Sequence, residues 1–351
     1  MTRPLSIPIF LVLVMLIGVR PTAAQAPGAS VSRRVAFDTV IGYQDFFREE
    51  RDWPAQVLVD AYAAIEPRSQ WQVSFRPKVW RTQGEWELIV DQASVRREFR
   101  RRSSNWRIEA GKFPSMIGYG VMENRPSLNA SVIWWHRPYY MPLPSLGATM
   151  PMVSLVSTTY PWGAQIGTSA MHWDARAAVV DRAPVEFWRG DDRASRSPHG
   201  VVGGGVTPVP GLRLGAGTAW GQLVNGERDS AYRMVNIEGE LALGYSKISG
   251  EWTSDRFDAR GREATARGWT VQLQHTLTPQ VFAHTRVTAI EASATLGSDA
   301  RRRYRSIDTT VGYRLDPDLT LRVAHTALKS WTVSHIDHQV GVSLMWARRW
   351  W

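Results

Sequence analysis

Charged side chains alternate with apolar ones along several stretches of this 351-residue chain. Around Arg76 and Lys78, for example, Phe75, Pro77 and Val79 occupy the intervening positions. Charged groups two residues apart on one face can concentrate counter-ions along a narrow path filled with water. The same spacing also fits a network of salt bridges that only keeps a wall of the protein hydrated.

The same alternation assigns further charged residues to one polar face. The predicted set comprises Arg76, Lys78, Glu87, Asp91, Arg107, Glu109, Arg213, Glu238, Glu240, Arg286, Asp308, Arg314 and Arg322. Cations are in modest excess in this set, so a water-filled path lined by them would prefer anions weakly. The salt-bridge network remains the open alternative.

Amphipathic β-strands are the elements that would position these residues. Apolar and polar residues alternate from Trp269 to Leu277, and the pattern returns at 307–315, 319–327 and 340–346. Successive side chains of a strand point to opposite faces, so this period predicts one apolar face and one polar face. Many such strands behind an export signal indicate a barrel with lipid outside and water inside.

The first 24 residues are predicted to be a signal peptide that is removed after export. Arg3 supplies a positive charge, Ile7 to Val19 is apolar, and Ala23 and Ala24 are small residues suited to cleavage. The apolar run is shorter than the roughly 20 residues that a membrane-spanning helix needs. An uncleaved anchor helix is the alternative.

Residues 25–351 are predicted to form a single domain, because no polar linker or composition break divides them. We expect an all-β fold, a transmembrane antiparallel β-barrel of about sixteen strands, with roughly fourteen to eighteen compatible with the pattern. Pro210, Pro279 and Pro317 mark short turns between strands. The polar segments 225–230, 255–263 and 298–303 are predicted to be longer loops.

The chain is basic, with a formal net charge of +10, and most of its cations are arginines. Arginine pairs well with phosphate, and arginines cluster at 96–97, 100–102 and 301–303, with Arg305 nearby. We therefore expect outer-membrane lipid and lipopolysaccharide as partners, besides small hydrophilic or anionic solutes. Solvated loop charge is the alternative for each cluster, and export argues against nucleic acid.

A long segment at about 114–162 is predicted to be a loop rich in aromatic residues and proline. Such a loop could fold into the barrel mouth and narrow it. The candidate constriction residues are Arg125, Trp134, Trp135, His136, Arg137, Tyr139 and Tyr140. An outer cap or a contact between subunits would use the same residues.

No enzyme is predicted, and neither a metal nor a cofactor is expected. His335 and His338 would lie on opposite faces of a strand, so they would not share a metal. The sequence contains neither a Gly-x-Ser-x-Gly elbow nor a His-Glu-x-x-His pair. A hydrolase site assembled from distant strands stays open as an alternative.

The stretch from Trp106 to Tyr119 resembles the phosphate-selective O/P type of bacterial outer-membrane porin. The matching positions are Gly111, Lys112, Phe113, Pro114 and Gly118, and the likeness extends over roughly 106–166. The resemblance implies the general porin fold and assembly as a homotrimer. Phosphate specificity in such porins relies on a lumen rich in lysine and arginine.

These observations together predict a porin of the bacterial outer membrane. It would be a passive diffusion channel for small hydrophilic solutes with a weak preference for anions. The alternatives are a substrate-specific or non-conducting outer-membrane barrel, an outer-membrane hydrolase, and an exported soluble β protein.

Overall fold

A computed structural model describes the parts of the chain that carry its strands. The described residues are 34–47, 56–68, 70–82, 85–101, 103–118, 140–142, 152–154, 160–184, 197–225, 228–259, 262–294, 302–329 and 336–350. Within these ranges no helix is long and apolar enough to cross a membrane. The signal-peptide prediction and the exact start of the domain fall outside them.

Most of the strands belong to one closed antiparallel barrel, and two form a small separate sheet. The barrel strands are β1 (Arg34–Phe47), β2 (Gln56–Arg68), β3 (Trp71–Thr82), β4 (Glu85–Arg101), β5 (Ser104–Lys112), β8 (Trp162–Ser169), β9 (Trp173–Val180), β10 (His199–Val209), β11 (Leu212–Asn225), β12 (Arg228–Leu243), β13 (Ser246–Ala259), β14 (Arg262–Thr276), β15 (Val281–Ala294), β16 (Arg302–Arg314), β17 (Leu319–Lys329) and β18 (Asp337–Trp350). The separate pair is β6 (Tyr140–Pro142) and β7 (Met152–Ser154).

Each barrel strand pairs with its neighbours in sequence, and the last strand closes the ring onto the first. Val35 lies opposite Trp350 and Ile41 opposite Leu344 along this seam. β5 pairs with β8, so the small sheet stands outside the ladder. A closed ladder leaves no strand edge, which satisfies backbone polar groups where water is absent. The predicted barrel of sixteen strands is confirmed.

The two faces of the barrel wall differ in the way that the alternation predicts. On β14, Leu273 is 43% exposed and its neighbour Gln272 is 6% exposed. The exposed residues around the ring are mostly large and apolar, whereas the inward residues are mostly polar. Such a barrel turns an apolar surface outward and gathers its polar side chains inside.

One end of the barrel, called the short-turn end below, carries tight connections. Gly211 and Gly244 adopt positive φ values of 87° and 53° there, which favours glycine over residues with a Cβ. The predicted proline turns at 209–212, 277–281 and 315–319 all lie at this end. The opposite end, called the long-loop end, carries the connections from β5 to β8 and from β9 to β10.

In two of the predicted long loops, 225–230 and 255–263, the residues that the structure describes are strand. Asn225 at the end of β11 pairs with Arg228 at the start of β12, and Ala259 pairs with Arg262 in the same way. The prediction was wrong because it took a run of polar residues for a loop. Backbone pairing between the strands continues past the part of the wall whose outer face is apolar, and there neither face of a strand needs apolar side chains. In the third segment, 298–301 lies outside the described residues, and Arg302 and Arg303 begin β16.

A third correction concerns the connection from β8 to β9. The residues from Gly163 to Trp173 on their own predict one strand, but β8 ends at Ser169. The backbone N–H of Ala170 donates to the carbonyl of Trp173 at 2.8 Å and closes a turn. The turn contains neither glycine nor proline, so the sequence carried no local signal for it.

Candidate functional site

The inner face of the barrel is the candidate functional site. All of the charged residues that alternation assigned to the polar face occupy inward positions on their strands. They are Arg76 and Lys78 on β3, Glu87 and Asp91 on β4, Arg107 and Glu109 on β5, Arg213 on β11, Glu238 and Glu240 on β12, Arg286 on β15, Asp308 and Arg314 on β16, and Arg322 on β17. These residues differ in the ion pairs and hydrogen bonds that their side chains form.

Arg76 forms a buried, bidentate ion pair with Asp60 of the neighbouring strand β2. Its Nε donates to Oδ1 at 2.8 Å and its Nη2 donates to Oδ2 at 2.5 Å. The remaining nitrogen, Nη1, donates to the hydroxyl of Tyr160, which precedes β8. Only 2% of the Arg76 side chain is exposed, so this charge depends on its carboxylate partner.

A β-bulge beside this pair places a second acid on the inner face. Arg76 lies opposite Gln92, but Pro77 lies opposite Val90, so Asp91 is an extra residue in the ladder. Proline has no N–H to donate, which explains why the pairing breaks there. Asp91 then meets Lys78, with Oδ2 and Nζ 2.5 Å apart.

A second cluster of ion pairs spans β9 to β12. Arg213 donates from Nη2 to Oδ1 of Asp174 and from Nη1 to Oε1 of Glu238, both at 2.7 Å. Arg176 donates from Nη2 to the same Glu238 oxygen at 2.6 Å. Two cations and two anions thus neutralise each other on this part of the wall.

Glycines on β10 make this second cluster sterically feasible. A Cβ on Gly205 would lie 2.8 Å from Nη2 of Arg213, and a Cβ on Gly203 would lie 3.2 Å from Nε of Arg176. β10 runs between β9 and β11. Side chains from β9 and β11 can therefore meet inside the barrel only where the inward residues of β10 have no side chain. Gly203 and Gly205 therefore have a steric role in positioning charges.

A third buried pair joins Arg286 and Asp308. Nε of Arg286 donates to Oδ2 of Asp308 at 3.0 Å, and Thr326 donates to Oδ1 at 2.6 Å. On the next strand, Nε of Arg322 donates to the hydroxyl of Ser343 at 3.0 Å. These strands close the barrel next to β1, so charged groups line this side as well.

Among the remaining predicted residues, Glu109 and Arg314 form hydrogen bonds with neutral groups, and Glu240 has a peripheral ion-pair partner. Glu109 accepts hydrogen bonds from Ser94 and Gln165, each at 2.6 Å, and Arg107 lies close to Gly167. Arg314 donates to the carbonyl of Pro279 at the short-turn end, at 2.8 Å. At the same end of β12, partly exposed Glu240 pairs with Lys247 at 3.0 Å.

The segment that follows β5 turns into the barrel. Phe113, Met116 and Ile117 are buried there. The side chain of Ile117 lies against Gly217 on β11, where a Cβ would be 3.1 Å from its Cγ2. Since Gly217 faces inward, Ile117 reaches across the interior from β5 to β11.

An apolar cluster inside the long-loop end receives this segment. It includes Tyr232, Met234 and Phe257 from inward positions of β12 and β13. At the other end of the same connection, Tyr160 contacts Arg76 inside the wall. Both described ends of the connection from β5 to β8 thus point into the barrel, as a narrowing loop requires.

The proposed constriction residues themselves cannot be placed. Arg125, Trp134, Trp135, His136, Arg137 and Tyr139 lie outside the described residues. Tyr140 begins β6, but its side chain lies outside the described set. Their role in a constriction stays a prediction.

Sequence reasoning missed several charged residues of the inner wall. Asp60, Asp174 and Arg176 occupy inward positions. The two acids hold the predicted cations Arg76 and Arg213, and Arg176 pairs with the predicted anion Glu238. The same alternation could have found them, because Asp60 stands between Val59 and Ala61 on a β2 that continues the pattern. Within the described ranges, no group of three His, Cys, Asp or Glu side chains could hold a metal.

An engineered disulfide should test the inward turn after β5. The chain has no cysteine, so Ile117→Cys combined with Gly217→Cys introduces the only thiols. Their side chains are adjacent, and we expect a disulfide to form under mild oxidation, read as a mobility shift that reductant reverses. Ile117→Cys with Gly239→Cys is the control, since Gly239 faces outward on β12 and should not crosslink. Failure of the first pair to crosslink would contradict the inward placement.

Comparison with known proteins supports the fold. No family model matches the chain, and no curated protein matches it. Among solved structures, the chain is similar to OmpF of Salmonella typhi, with a TM-score of 0.58 and 8% identity over 90% of this chain and 97% of that one. It is also similar to an anion-selective porin from Comamonas acidovorans, with a TM-score of 0.57 and 10% identity over 91% and 99% of the two chains.

A third similar structure is the outer-membrane protein OmpT of Vibrio cholerae. Its TM-score is 0.56 and its identity 9%, over 92% of this chain and 100% of that one. At such identities the similarity establishes the fold alone, a closed antiparallel β-barrel like those of these three proteins. The more specific resemblance to phosphate-selective porins stays a prediction.

Proposed function

We propose that this protein is an outer-membrane porin that lets small hydrophilic solutes diffuse passively. The observation that supports the proposal most is the closed barrel with an apolar outer face and a charged inner face. An apolar outer face suits lipid, and charged groups inside suit water and hydrated solutes. Uptake of small sugars into vesicles that contain the purified protein would test it, and vesicles that stay impermeable would contradict it.

We propose that the channel prefers anions only weakly. Asp60, Asp174 and Glu238 neutralise arginines of the inner wall, so much of its positive charge is cancelled locally. The remaining preference comes from arginines whose described hydrogen bonds are to neutral groups, such as Arg314 at the short-turn end. One similar structure is that of a porin described as anion-selective, but that property belongs to that protein.

Charge-neutralising variants should reveal this preference. Replacing Arg107, Arg314 and Arg322 together by glutamine removes inward charge and keeps both residues of the Arg76–Asp60, Arg213–Asp174 and Arg286–Asp308 ion pairs. Under a salt gradient, the reversal potential should shift towards cation selectivity, and molar salt should weaken the shift because the Debye length falls to about 3 Å.

Arg303→Gln with Arg305→Gln is the matched control for that experiment. Both residues face outward on β16, so their neutralisation should leave the reversal potential nearly unchanged. An unchanged reversal potential in the triple variant, with conductance intact, would rule out these inner arginines as the selectivity element.

We further propose a homotrimer in the outer membrane. One solved relative with 9% identity is described as a trimer form. Native mass spectrometry of the purified protein in mild detergent should then give a mass three times that of one chain. A single-chain mass under conditions that preserve the heat-modifiable fold would contradict this assembly.

A substrate-specific or non-conducting barrel is the second candidate. It is favoured by the apolar cluster inside the long-loop end, where Ile117 packs with Tyr232, Met234 and Phe257. Apolar residues in that position exclude water and narrow the polar path. In that case the reconstituted protein would pass few or no sugars while remaining folded. The many large apolar side chains exposed around the wall count against a soluble exported protein.

A further inference from the structure

The outer face of the barrel carries cations on one side of its long-loop end. On β12, β13, β14, β16 and β17, exposed basic residues occupy outward positions beyond the apolar part of the strand. This cation row consists of Arg233, Arg256, Arg267, Arg303, Arg305 and Lys329. Only Arg303 and Arg305 belong to an arginine cluster that the sequence singled out.

The row begins where the apolar surface ends. On β14, Trp269 is the next outward residue below Arg267, and on β16, Ile307 is the next one below Arg305. Tryptophan and isoleucine are 43% and 51% exposed at these positions. In a barrel that spans a membrane, side chains just beyond the apolar band lie at the level of the lipid headgroups.

Two pairs within the row place like charges directly opposite each other. Arg233 on β12 lies opposite Arg256 on β13, and Arg305 on β16 lies opposite Lys329 on β17. Directly opposed like charges on one face of a sheet are destabilising. An anion bound between the two cations would remove that repulsion.

Acidic residues of the same surface satisfy only part of the row. Glu263 pairs with Arg256 at 3.0 Å, and Glu291 pairs with Arg303 at 3.2 Å. These pairs are exposed on the wall, so they contribute little stability. Among the side chains that the structure describes on this surface, six cations accompany three acids, with Asp258 as the third, so positive charge remains in excess.

The neighbouring part of the outer wall is different. At the long-loop ends of β8, β9 and β11, the outward residues include Trp162, Val179 and Trp220, which are apolar and exposed. Among the residues that the structure describes, outward basic side chains at this end are therefore concentrated on β12 to β17, although Arg81 on β3 is also exposed. Such a concentration of charge matches a discrete ligand better than diffuse solubility.

We propose that the cation row binds the phosphate groups of lipid A, the headgroup of lipopolysaccharide in the outer leaflet. Guanidinium groups bind phosphate oxygens through two parallel hydrogen bonds, and a lysine adds a compact charge. A phosphate between Arg305 and Lys329, or between Arg233 and Arg256, turns a repulsive pair into a shared site. The inference rests on the proposed outer-membrane location but not on conduction.

Binding of fluorescent bis-phosphorylated lipid A to the purified full-length protein in neutral detergent tests the proposal. The double variants Arg305→Gln with Lys329→Gln and Arg233→Gln with Arg256→Gln should each bind about tenfold more weakly or worse, since each loses charge-assisted hydrogen bonds. Dephosphorylated lipid A should bind the unaltered protein as weakly as bis-phosphorylated lipid A binds the double variants. Arg97→Gln with Arg101→Gln, on the outward face of β4 at the short-turn end, is the control and should keep full affinity.

Thermal stability gives a second readout that separates lost binding from lost folding. Lipid A should raise the temperature at which the unaltered protein loses its heat-modifiable form, and it should raise that of the double variants much less. Without lipid, the variants should be at least as stable as the unaltered protein, because the opposed charges are gone.

Three results would overturn the proposal. They are equal affinity of the double variants and the unaltered protein, an equal loss in the control variant, and complete competition by inorganic phosphate at millimolar concentration. The last result would identify free phosphate as the ligand. Because no ion current is measured, a failure here leaves the channel proposal standing.

Discussion

Asp60→Asn should lower the free energy of unfolding of the barrel by about 3 to 5 kcal/mol, the range typical of a buried ion pair that loses one partner. The carboxylate accepts two hydrogen bonds from Arg76 at 2.8 and 2.5 Å, on the inner face of β2 and β3. An asparagine keeps the size of the side chain but leaves the guanidinium charge without this carboxylate. Denaturant-induced unfolding of the protein refolded into lipid vesicles measures the change.

Arg303→Gln is the matched control for an exposed ion pair. Its partner Glu291 lies on the outer face, and the two side chains are 56% and 39% exposed. Exposed pairs contribute about 0 to 1 kcal/mol, so this variant should unfold almost like the unaltered protein. If Asp60→Asn cost no more than Arg303→Gln, the inner wall would be far more hydrated at this pair than the structure indicates.

The second large effect is expected on the apolar outer face, which would contact lipid in the proposed outer-membrane location. Leu344 and Met345 follow one another on β18 and face opposite sides, with Leu344 41% exposed on the outer surface. An arginine at a lipid-facing site near the membrane centre costs about 2 to 4 kcal/mol. Leu344→Arg should therefore destabilise the barrel by about that much, and Met345→Arg should cost clearly less because water and polar groups lie inside.

The same unfolding measurement compares the two arginine variants. Met345 lies opposite Val40 and Thr320, so its inward position is shared with a small polar side chain. A larger loss for Met345→Arg than for Leu344→Arg would mean that the inner and outer faces have been exchanged. It would then remove the physical basis for both a lumen and a lipid-facing wall.

The face of the barrel to which each strand residue points could be predicted from sequence, because it depends only on local alternation. Alternation around Arg76, Arg107 and Arg286 placed each of them on the inner face, and the structure has them there. The number of strands followed from the same pattern together with the proline turns. The residues at which strands end could not be predicted in this way. Near the ends both faces of a strand are polar, so the alternation disappears, as at Asn225 and Ala259.

The pairing of charges could not be predicted, because it depends on register between distant strands. Asp174 meets Arg213 only because β10 lies between their strands with glycines at the crossing positions. The bulge at Pro77 shifts Asp91 into the ladder, and no periodic pattern contains an extra residue. The contact of Ile117 with Gly217 is likewise set by how far the chain reaches across the interior.

These pairings limit what the inner wall can do. Opposite charges that pair in clusters, such as the group around Glu238, fix one another in place. Because they cancel locally, they leave little net electric field inside the barrel. The inward segment after β5 narrows one side of the long-loop end with apolar residues. In the proposed channel, both features would give a small, weakly selective path, not a wide pore with strong charge discrimination.

Recording of ion current across a planar lipid bilayer tests the central claim most directly. Purified, heat-modifiable protein added to a bilayer under applied voltage should give stepwise increases in current of uniform size, each from one inserted channel. The reversal potential under a salt gradient should lie slightly on the anion side. A bilayer that contains folded protein, shown by its gel mobility, and yet carries no current at any voltage would contradict the account.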